Sequence, residues 1–222
     1  IPGHNLPLAT LGVFILWLGW FGFNPGSTMA ANVSIAHIAT TTNMAGATGA
    51  IAAMVVSWIM FKKTDISMSL NGALAGLVAI TAPCAFVSVA SSFWIGLIAG
   101  VLVVLSVIFV DKVLRIDDPV GATSVHLVCG VLGTIFVGLF AEDWVSPNTT
   151  GNGLLFGGGT KLLFAQIKGI LSVGVFTFAL SLIGWYIVKA VFGVRVSEAE
   201  EKEGLDIGEH GETAYGFVYT GK

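Results

Sequence analysis

Charged side chains are scarce in this sequence of 222 residues. Only 10% of the residues are Asp, Glu, Lys or Arg, whereas 55% are hydrophobic, and the mean hydropathy is +0.89. A water-soluble domain carries about 25% charged residues, so this composition excludes a soluble globule. The net charge of −3 and the absence of a basic stripe argue against a nucleic-acid interface.

Cysteine is also scarce. The two cysteines, Cys84 and Cys129, lie within apolar stretches, where a thiol acts as a small apolar filler. They provide neither a disulfide framework nor a zinc-ligand pattern. The glycine run 157–159 is not followed by the lysine and serine of a phosphate-binding loop. We therefore predict no disulfide, no bound metal and no cofactor.

Six apolar stretches are long enough to cross a bilayer as helices. Twenty residues at about 1.5 Å per residue span roughly 30 Å, the thickness of the hydrocarbon core. The stretches lack the polar and apolar alternation of barrel strands, so we predict an all-α bundle of about six transmembrane helices. The predicted spans are Leu6 to Asn24, a stretch ending near Phe61, Ser67 to Val89, Ser92 to Leu114, Pro119 to Phe140 and Thr160 to Phe192.

Basic residues mark one side of the membrane. Loops on that side contain Lys62, Lys63, Lys112 and Arg115, whereas loops on the other side offer only Lys161. An even number of spans places both ends together, and the positive-inside rule places the basic side in the cytoplasm. We expect a multi-pass protein of the cell membrane with both ends of this chain cytoplasmic.

The acidic residues are concentrated after the last span. Residues 1–192 carry seven basic and six acidic side chains, whereas residues 193–222 carry three basic and seven acidic ones. Such a charge run is typical of a solvated segment. The sequence therefore predicts a transmembrane helical domain, 1–192, and a cytoplasmic tail, 193–222.

A motif rich in aromatic residues and glycine closes the first span and contains Trp20, Phe23 and Ser27. Phe23 and Ser27 are four residues apart, so a helix that continues or restarts after Pro25 presents them to one cavity. An aromatic face attracts a small cation, and a hydroxyl replaces one of its waters. An aromatic belt at the membrane interface is the alternative interpretation.

His126 lies inside the fifth predicted span. An imidazole at membrane depth costs several kcal/mol unless it is used or satisfied. Its two nitrogens donate and accept in turn, which suits a weak base that passes in single file. A hydrogen bond to a neighbouring carbonyl explains it equally well. We assign His37, which also lies within a span, to packing or interhelical hydrogen bonding.

Asp117 and Asp118 stand before a proline at the start of the fifth span. Aspartate caps exposed amides and proline fits a first helical turn, so we assign both carboxylates to a helix cap. An ion pair of Asp117 with Arg115 or Lys112 is the alternative. Both carboxylates lie two turns or more from His126, too far for an acid–base dyad, so we predict no enzyme activity.

Three motifs follow one another in the chain, from Trp20 to Ser27, from Asp117 to His126 and from Gly204 to Tyr215. With these motifs the chain resembles the ammonium transporter family (Amt, Mep and Rh proteins), and in particular its Amt/Mep branch. The similarity extends from His4 to Phe217. It implies a homotrimer whose subunits each contain one pore, two inverted five-span repeats and a final long helix. This chain resembles the second repeat and that last helix.

The resemblance also implies roles for individual residues. Ser27 matches a serine that recruits ammonium, Phe23 matches one of two stacked gating phenylalanines, and His126 matches the second of two pore histidines. Trp20 is implied to lie near the pore. The tail is implied to pack on the cytoplasmic face, contact a neighbouring subunit and bind a PII-type regulatory protein. The tail residues assigned to regulation are Gly204, Asp206, Glu209, His210, Gly211 and Tyr215.

Two functions fit this resemblance. In the first, the cation binds in a vestibule, loses a proton and passes His126 as ammonia. In the second, the fold senses ammonium and signals through its tail, which a kinase or cyclase domain after Lys222 would favour. The partner phenylalanine, the vestibule tryptophan and the first pore histidine of the family belong to the first repeat. We therefore expect this missing half upstream of Ile1 or on another polypeptide.

Overall fold

The computed structural model describes residues 5–147 and 149–213, and within these residues it contains helices and no strand. The chain divides into two compact units, Ile1–Leu171 and Ser172–Lys222. The α-helices of the described residues are α1 (Leu6–Phe23), α2 (Ser34–Phe61), α3 (Ile66–Thr81), α4 (Val89–Ile108), α5 (Cys129–Phe140), α6 (Lys161–Val191), α7 (Glu198–Glu203) and α8 (Leu205–His210).

Short helical turns adjoin several of these helices. A 3₁₀ turn, Gly26–Thr28, follows α1, and another, Leu154–Phe156, lies in the long connection before α6. One π-helical turn, Phe109–Leu114, extends α4, and a second, Thr123–Val128, leads into α5. With these extensions, five helical stretches are long and apolar enough to cross a membrane. The predicted all-α membrane bundle is thereby confirmed.

The third predicted span differs from the structure. The sequence predicts a helix from Ser67 to Val89, whereas α3 ends at Thr81 after 16 residues. Pro83 lacks the amide that a continuing helix requires, and its ring obstructs the carbonyl four residues earlier. Turns therefore occupy the connection, and α4 begins after Ser88, whose hydroxyl accepts a hydrogen bond from the amide of Ser91 at 3.2 Å.

Helix α2 packs against α3 and α4 through glycine. A methyl group added to Gly76 of α3 would stand 2.1 Å from the carbonyl oxygen of Ala45, and one added to Gly100 of α4 would stand 2.3 Å from that of Gly49. The backbones themselves are therefore in contact. Such close approach allows helices to associate in lipid, where apolar side chains gain little from leaving the hydrocarbon.

Gly72 and Gly96 lie four residues before Gly76 and Gly100, and Gly22 of α1 and Gly26 of the following turn have the same spacing, but the surroundings of these glycines differ. Added methyl groups on Gly72 and Gly96 would also overlap α2, so both glycines of each pair in α3 and α4 lie at close helix contacts. Gly22 and Gly26 have nothing within 4 Å of an added methyl group. This pair therefore makes no close helix contact within the described residues.

The interior of the first unit combines apolar packing with satisfied polar groups. Leu77 and Ile80 of α3 and Ile95 of α4 are fully buried. Thr41 of α2 donates a hydrogen bond to the carbonyl oxygen of Cys84 at 2.9 Å. Every buried side-chain nitrogen or oxygen among the described residues has a hydrogen-bond partner, as a polar group in hydrocarbon requires.

The outer helices contribute little to this interior. Among the described residues, α1 buries only Val13, and α6 buries none. Both helices are apolar, and an 18-residue window has a mean hydropathy of 1.8 within Leu6–Thr28 and of 2.0 within Lys161–Val191. Such surfaces are stable only against lipid or against more protein.

The second unit contains the tail helices. Ser197 and Glu200 form a reciprocal capping box at the start of α7. Ion pairs join Arg195 to Glu201 at 2.7 Å and Lys202 to Glu198 at 2.6 Å. All four of these ion-paired side chains are exposed, so the pairs contribute little stability.

The glycine contacts predict unequal effects of adding one methyl group. Gly76→Ala forces backbone movement against Ala45 and should destabilise the bundle by about 1–3 kcal/mol. Gly130→Ala is the matched control, because its new methyl group would lie 3.9 Å from Val78. It should be neutral or stabilising by up to about 1 kcal/mol, since alanine favours helix. Thermal denaturation in detergent compares the two variants, and equal midpoints would contradict the close contact.

Candidate functional site

Two clefts lie at opposite ends of the first unit. The upper cleft, of about 590 Å³, lies where α1 and α3 end and α2 begins. The lower cleft, of about 550 Å³, lies where α1 and α3 begin and includes the turn before α5. Of the residues assigned to binding and passage from the sequence, Phe23 and Ser27 line the upper cleft, His126 lines the lower cleft, and Trp20 lines neither.

Phe23 and Ser27 line the upper cleft together. Helix α1 ends at Phe23, and the chain restarts as the Gly26–Thr28 turn after Pro25, which keeps the two side chains on one wall. The Ser27 hydroxyl donates a hydrogen bond to the carbonyl oxygen of Phe23. The Phe23 side chain is exposed, so an aromatic ring and a hydroxyl oxygen face the same space.

Trp20 supports this wall from within the protein. Its indole nitrogen donates a hydrogen bond to the Thr81 hydroxyl at 2.8 Å. Its ring meets that of Phe23 edge to face, with 6.4 Å between centroids and 87° between planes. Such pairs hold both rings in a preferred orientation. The N–H of Trp20 is therefore satisfied by α3, unlike that of a belt residue, which faces the headgroups.

Asn24 and His37 are further polar residues of the upper cleft. Asn24 is buried, and its amide donates a hydrogen bond to the Thr42 hydroxyl at 3.1 Å. The Nε2 atom of His37 lies 2.9 Å from the carbonyl oxygen of Val87. Because a carbonyl only accepts, Nε2 carries the hydrogen. The hydrogen-bonding role assigned to His37 is confirmed.

A buried carboxylate, absent from our sequence assignments, lies behind the upper cleft. One oxygen of Glu142 accepts hydrogen bonds from the amide and hydroxyl of Ser88 and from the hydroxyl of Ser91. The other oxygen accepts one from the indole of Trp144. Burial alone raises the pKa of Glu142, but the hydrogen bonds from Ser91, Ser88 and Trp144 outweigh burial, so this pKa lies below its usual value.

The lowered pKa of Glu142 predicts that part of the free energy of unfolding is lost in acid. The ionised form is favoured by folding, so this stability is present above the ordinary pKa of 4.5 and is lost as pH falls through the lowered folded value. Thermal midpoints of the wild type and Glu142→Gln measured on both sides of pH 4.5 test this. Their difference should shrink on the acid side, and a constant difference would contradict an ionised Glu142.

The lower cleft contains His126. This residue is exposed and lies in the π-helical turn Thr123–Val128, whereas the preceding Val125 is buried. Within the described residues the His126 ring makes no hydrogen bond, so the alternative of a bond to a neighbouring carbonyl is not realised there. A π-helical turn in place of a regular helix is frequent at functional sites.

Asp118 lies at the entrance of the lower cleft. Its two carboxylate oxygens accept hydrogen bonds from the amides of Ala122 at 2.8 Å and Thr123 at 2.9 Å. Asp117 lies one residue earlier and caps no amide within the described residues, since the amides of Ala122 and Thr123 bond to Asp118 instead. The cap assignment of Asp117 is therefore corrected. The described chain also contains no ion pair between Asp117 and Arg115 or Lys112.

These two neighbouring carboxylates predict different effects of removal. Asp118→Ala removes two hydrogen bonds to helix amides and should destabilise the protein by about 0.5–2 kcal/mol. Asp117→Ala should change stability by less than about 0.5 kcal/mol, because it removes no such bond. Thermal denaturation of the two purified variants measures the difference. A larger effect of Asp117→Ala would show that the cap is assigned to the wrong residue.

Five of the six tail residues assigned to regulation occupy α8 and its two ends. Asp206, Glu209 and His210 lie on α8. Gly204 and Gly211 flank it with φ angles of 106° and 68°, a conformation that favours glycine. Tyr215 lies outside the described residues.

Comparisons with known families and with curated proteins all match this chain to ammonium transporters. The model of the Ammonium Transporter Family matches residues 1–215. Ammonium transporter Amt2 of Archaeoglobus fulgidus is 44% identical over 226 residues, which cover 99% of this chain and 48% of the relative. The ammonium transporter of Aquifex aeolicus is 39% identical over 96% of this chain and 49% of its own length. The chain thus spans about half the length of these relatives.

Solved structures agree with this comparison. A chain named Sensor Amt Protein superposes with a TM-score of 0.83 at 39% identity, covering 93% of this chain and 49% of that chain. Candida albicans Mep2 superposes with a TM-score of 0.81 at 30% identity, covering 89% of this chain and 44% of its own. The relatives are named as transporters or a sensor, and none of these names is that of an enzyme.

Proposed function

Because this chain belongs to the ammonium transporter family, we propose that it takes part in transporting ammonium across a membrane, with His126 on the route of the substrate. One observation carries the proposal. The His126 ring lies within an apolar helical stretch, is exposed, and has no hydrogen-bond partner among the described residues. Such a ring is stable beside a polar lumen and costly beside lipid.

Recruitment takes place in the upper cleft. The Phe23 ring offers its negative face to a cation. The Ser27 hydroxyl donates its hydrogen bond to the Phe23 carbonyl oxygen. The hydroxyl oxygen can therefore accept a hydrogen bond from an ammonium N–H. The ring and the hydroxyl together replace part of the hydration that the cation loses. Trp20 holds the Phe23 ring in place, and Phe23 gates the path beyond it.

Passage takes place in the neutral form. An apolar path disfavours a full charge, so the pKa of ammonium falls and the cation gives its proton to water in the upper cleft before entry. Ammonia then meets the His126 ring, whose nitrogens donate and accept hydrogen bonds in turn. Ammonia is protonated again by water on the other side. Potassium has no neutral form and is excluded. The protein needs no cofactor or metal for this cycle.

The other wall of the path comes from outside this chain. Helix α1 buries only Val13, and His126 is exposed. One face of the first unit is therefore not covered by other residues of the described chain. The relatives are about twice as long as the chain. We propose that a first-repeat half covers this face and that the complete assembly is a homotrimer.

The loop charges orient the chain. Lys62, Lys63, Lys112 and Arg115 lie at the end of the bundle that carries the lower cleft. By the positive-inside rule this end is cytoplasmic, which places the upper cleft outside. Residues 193–222 form a cytoplasmic regulatory tail after the transmembrane domain 1–192, and a PII-type protein is its proposed partner.

Replacing the pore histidine tests the proposal. His126→Ala in the full-length protein should lower ammonium flux into proteoliposomes by about tenfold or more, because the buried substrate loses a hydrogen-bonding partner. Leu127→Ala is the control, since Leu127 is the exposed apolar neighbour of His126. It should leave flux nearly unchanged. Unchanged flux and selectivity in His126→Ala would contradict the pore assignment.

A sensor is the second candidate function. It is favoured by the similarity to the chain named Sensor Amt Protein, at a TM-score of 0.83. A sensor binds ammonium in the upper cleft and alters its tail without net transport. Ammonium-dependent protection of the tail from protease, together with no flux in proteoliposomes, would favour this function over transport.

A further inference from the structure

The connection after α5 brings an indole to the upper cleft. Trp144 lines this cleft together with Phe23 and Ser27, and its side chain is 70% exposed. It belongs to a stretch that the sequence motifs leave unassigned. The upper cleft therefore has an aromatic side chain from α1 and another from the connection after α5.

A fixed set of hydrogen bonds holds this indole. One oxygen of Glu142 accepts from the Ser88 amide at 3.0 Å, the Ser88 hydroxyl at 2.7 Å and the Ser91 hydroxyl at 2.6 Å. The other oxygen accepts from the Trp144 indole nitrogen at 2.9 Å. The backbone amide of Glu142 also donates to the carbonyl of Phe86 at 2.8 Å. Glu142 thereby links Trp144 to the start of α4.

We propose that Trp144 is a second aromatic face for the cation in the upper cleft, and that Glu142 is the positioning residue that holds it there. The proposal rests on the proposed function. Its ligand class is a small cation that carries N–H donors, either ammonium or methylammonium.

The chemistry of the indole supports this role. Tryptophan provides the strongest cation–π contact of the aromatic side chains. Because its N–H is bonded to Glu142, Trp144 offers the cleft its ring rather than a hydrogen-bond donor. A bond to an ionised carboxylate also polarises the ring toward greater electron density. No lysine or arginine lines the upper cleft within the described residues, so no permanently charged side chain there repels a cation.

A membrane-belt role for Trp144 is the competing explanation. A belt tryptophan directs its N–H to the headgroups or water. The Trp144 N–H instead meets a carboxylate on a residue that is only 6% exposed. Such a bond fixes the ring relative to the protein, as a binding wall requires and a lipid anchor does not.

The test measures methylammonium uptake by the full-length protein in proteoliposomes. Trp144→Leu removes the ring and should raise KM about 3- to 30-fold with little change in maximal rate. Trp144→Phe keeps a weaker ring and should give an intermediate KM. Trp58→Leu is the control, because Trp58 is similarly exposed but lies near the far end of α2. It should keep the wild-type KM.

Glu142→Gln separates positioning from folding. The glutamine oxygen can still accept from Ser88 and Ser91, but its amide then faces the Trp144 N–H, and two donors cannot bond. This variant should raise KM to about the value of Trp144→Leu. In the Trp144→Leu background the same change should alter KM less than about twofold, because the indole that it positions is already absent.

Each outcome is decisive. A wild-type KM in Trp144→Leu, an equal rise in Trp58→Leu, or failure of both Trp144 variants to assemble would overturn the proposal, the last because it marks Trp144 as a packing residue. Additive effects of Glu142→Gln and Trp144→Leu would overturn the positioning role. Absence of saturable uptake by the wild type would instead reject the proposed transport function, on which this inference rests.

Discussion

The need to satisfy polar groups away from water governs this structure. Within the described residues every buried side-chain nitrogen and oxygen has a hydrogen-bond partner. Serine achieves this between helices, as when Ser106 donates a hydrogen bond to Ser124 of an adjacent helical segment at 2.8 Å. The His126 ring stands apart because it is exposed and unbonded in the described chain. We propose that its surroundings in the membrane supply a polar lumen.

The packing of the helices separates a rigid interior from the functional faces. Close glycine contacts join α2 to α3 and α4, and these three helices carry most of the buried side chains. Helix α1 is fixed to this interior near its end, where Trp20 bonds to Thr81. The upper cleft is thus assembled on a rigid base, which keeps Phe23 and Ser27 on one wall. The face that includes His126 is exposed, and we propose that a second set of helices covers it.

Local sequence patterns predicted much of this arrangement. Hydropathy identified the spans, and the four-residue spacing of Phe23 and Ser27 predicted their common wall, because both signals act within one or two turns. The end of α3 was misplaced because apolar composition continued past Pro83. The π-helical turn at His126 escaped prediction because its apolar pattern resembles that of a regular helix over six residues. Glu142 was missed because its partner Ser88 lies 54 residues away.

An experimental structure of the complete protein in a lipid bilayer tests the central claim most directly. The account predicts that the His126 ring borders a continuous lumen between this helical bundle and a second group of helices. Density for water or another small ligand should lie within hydrogen-bond distance of a ring nitrogen. A ring packed against acyl chains, or enclosed by side chains with no lumen beside it, would contradict the account.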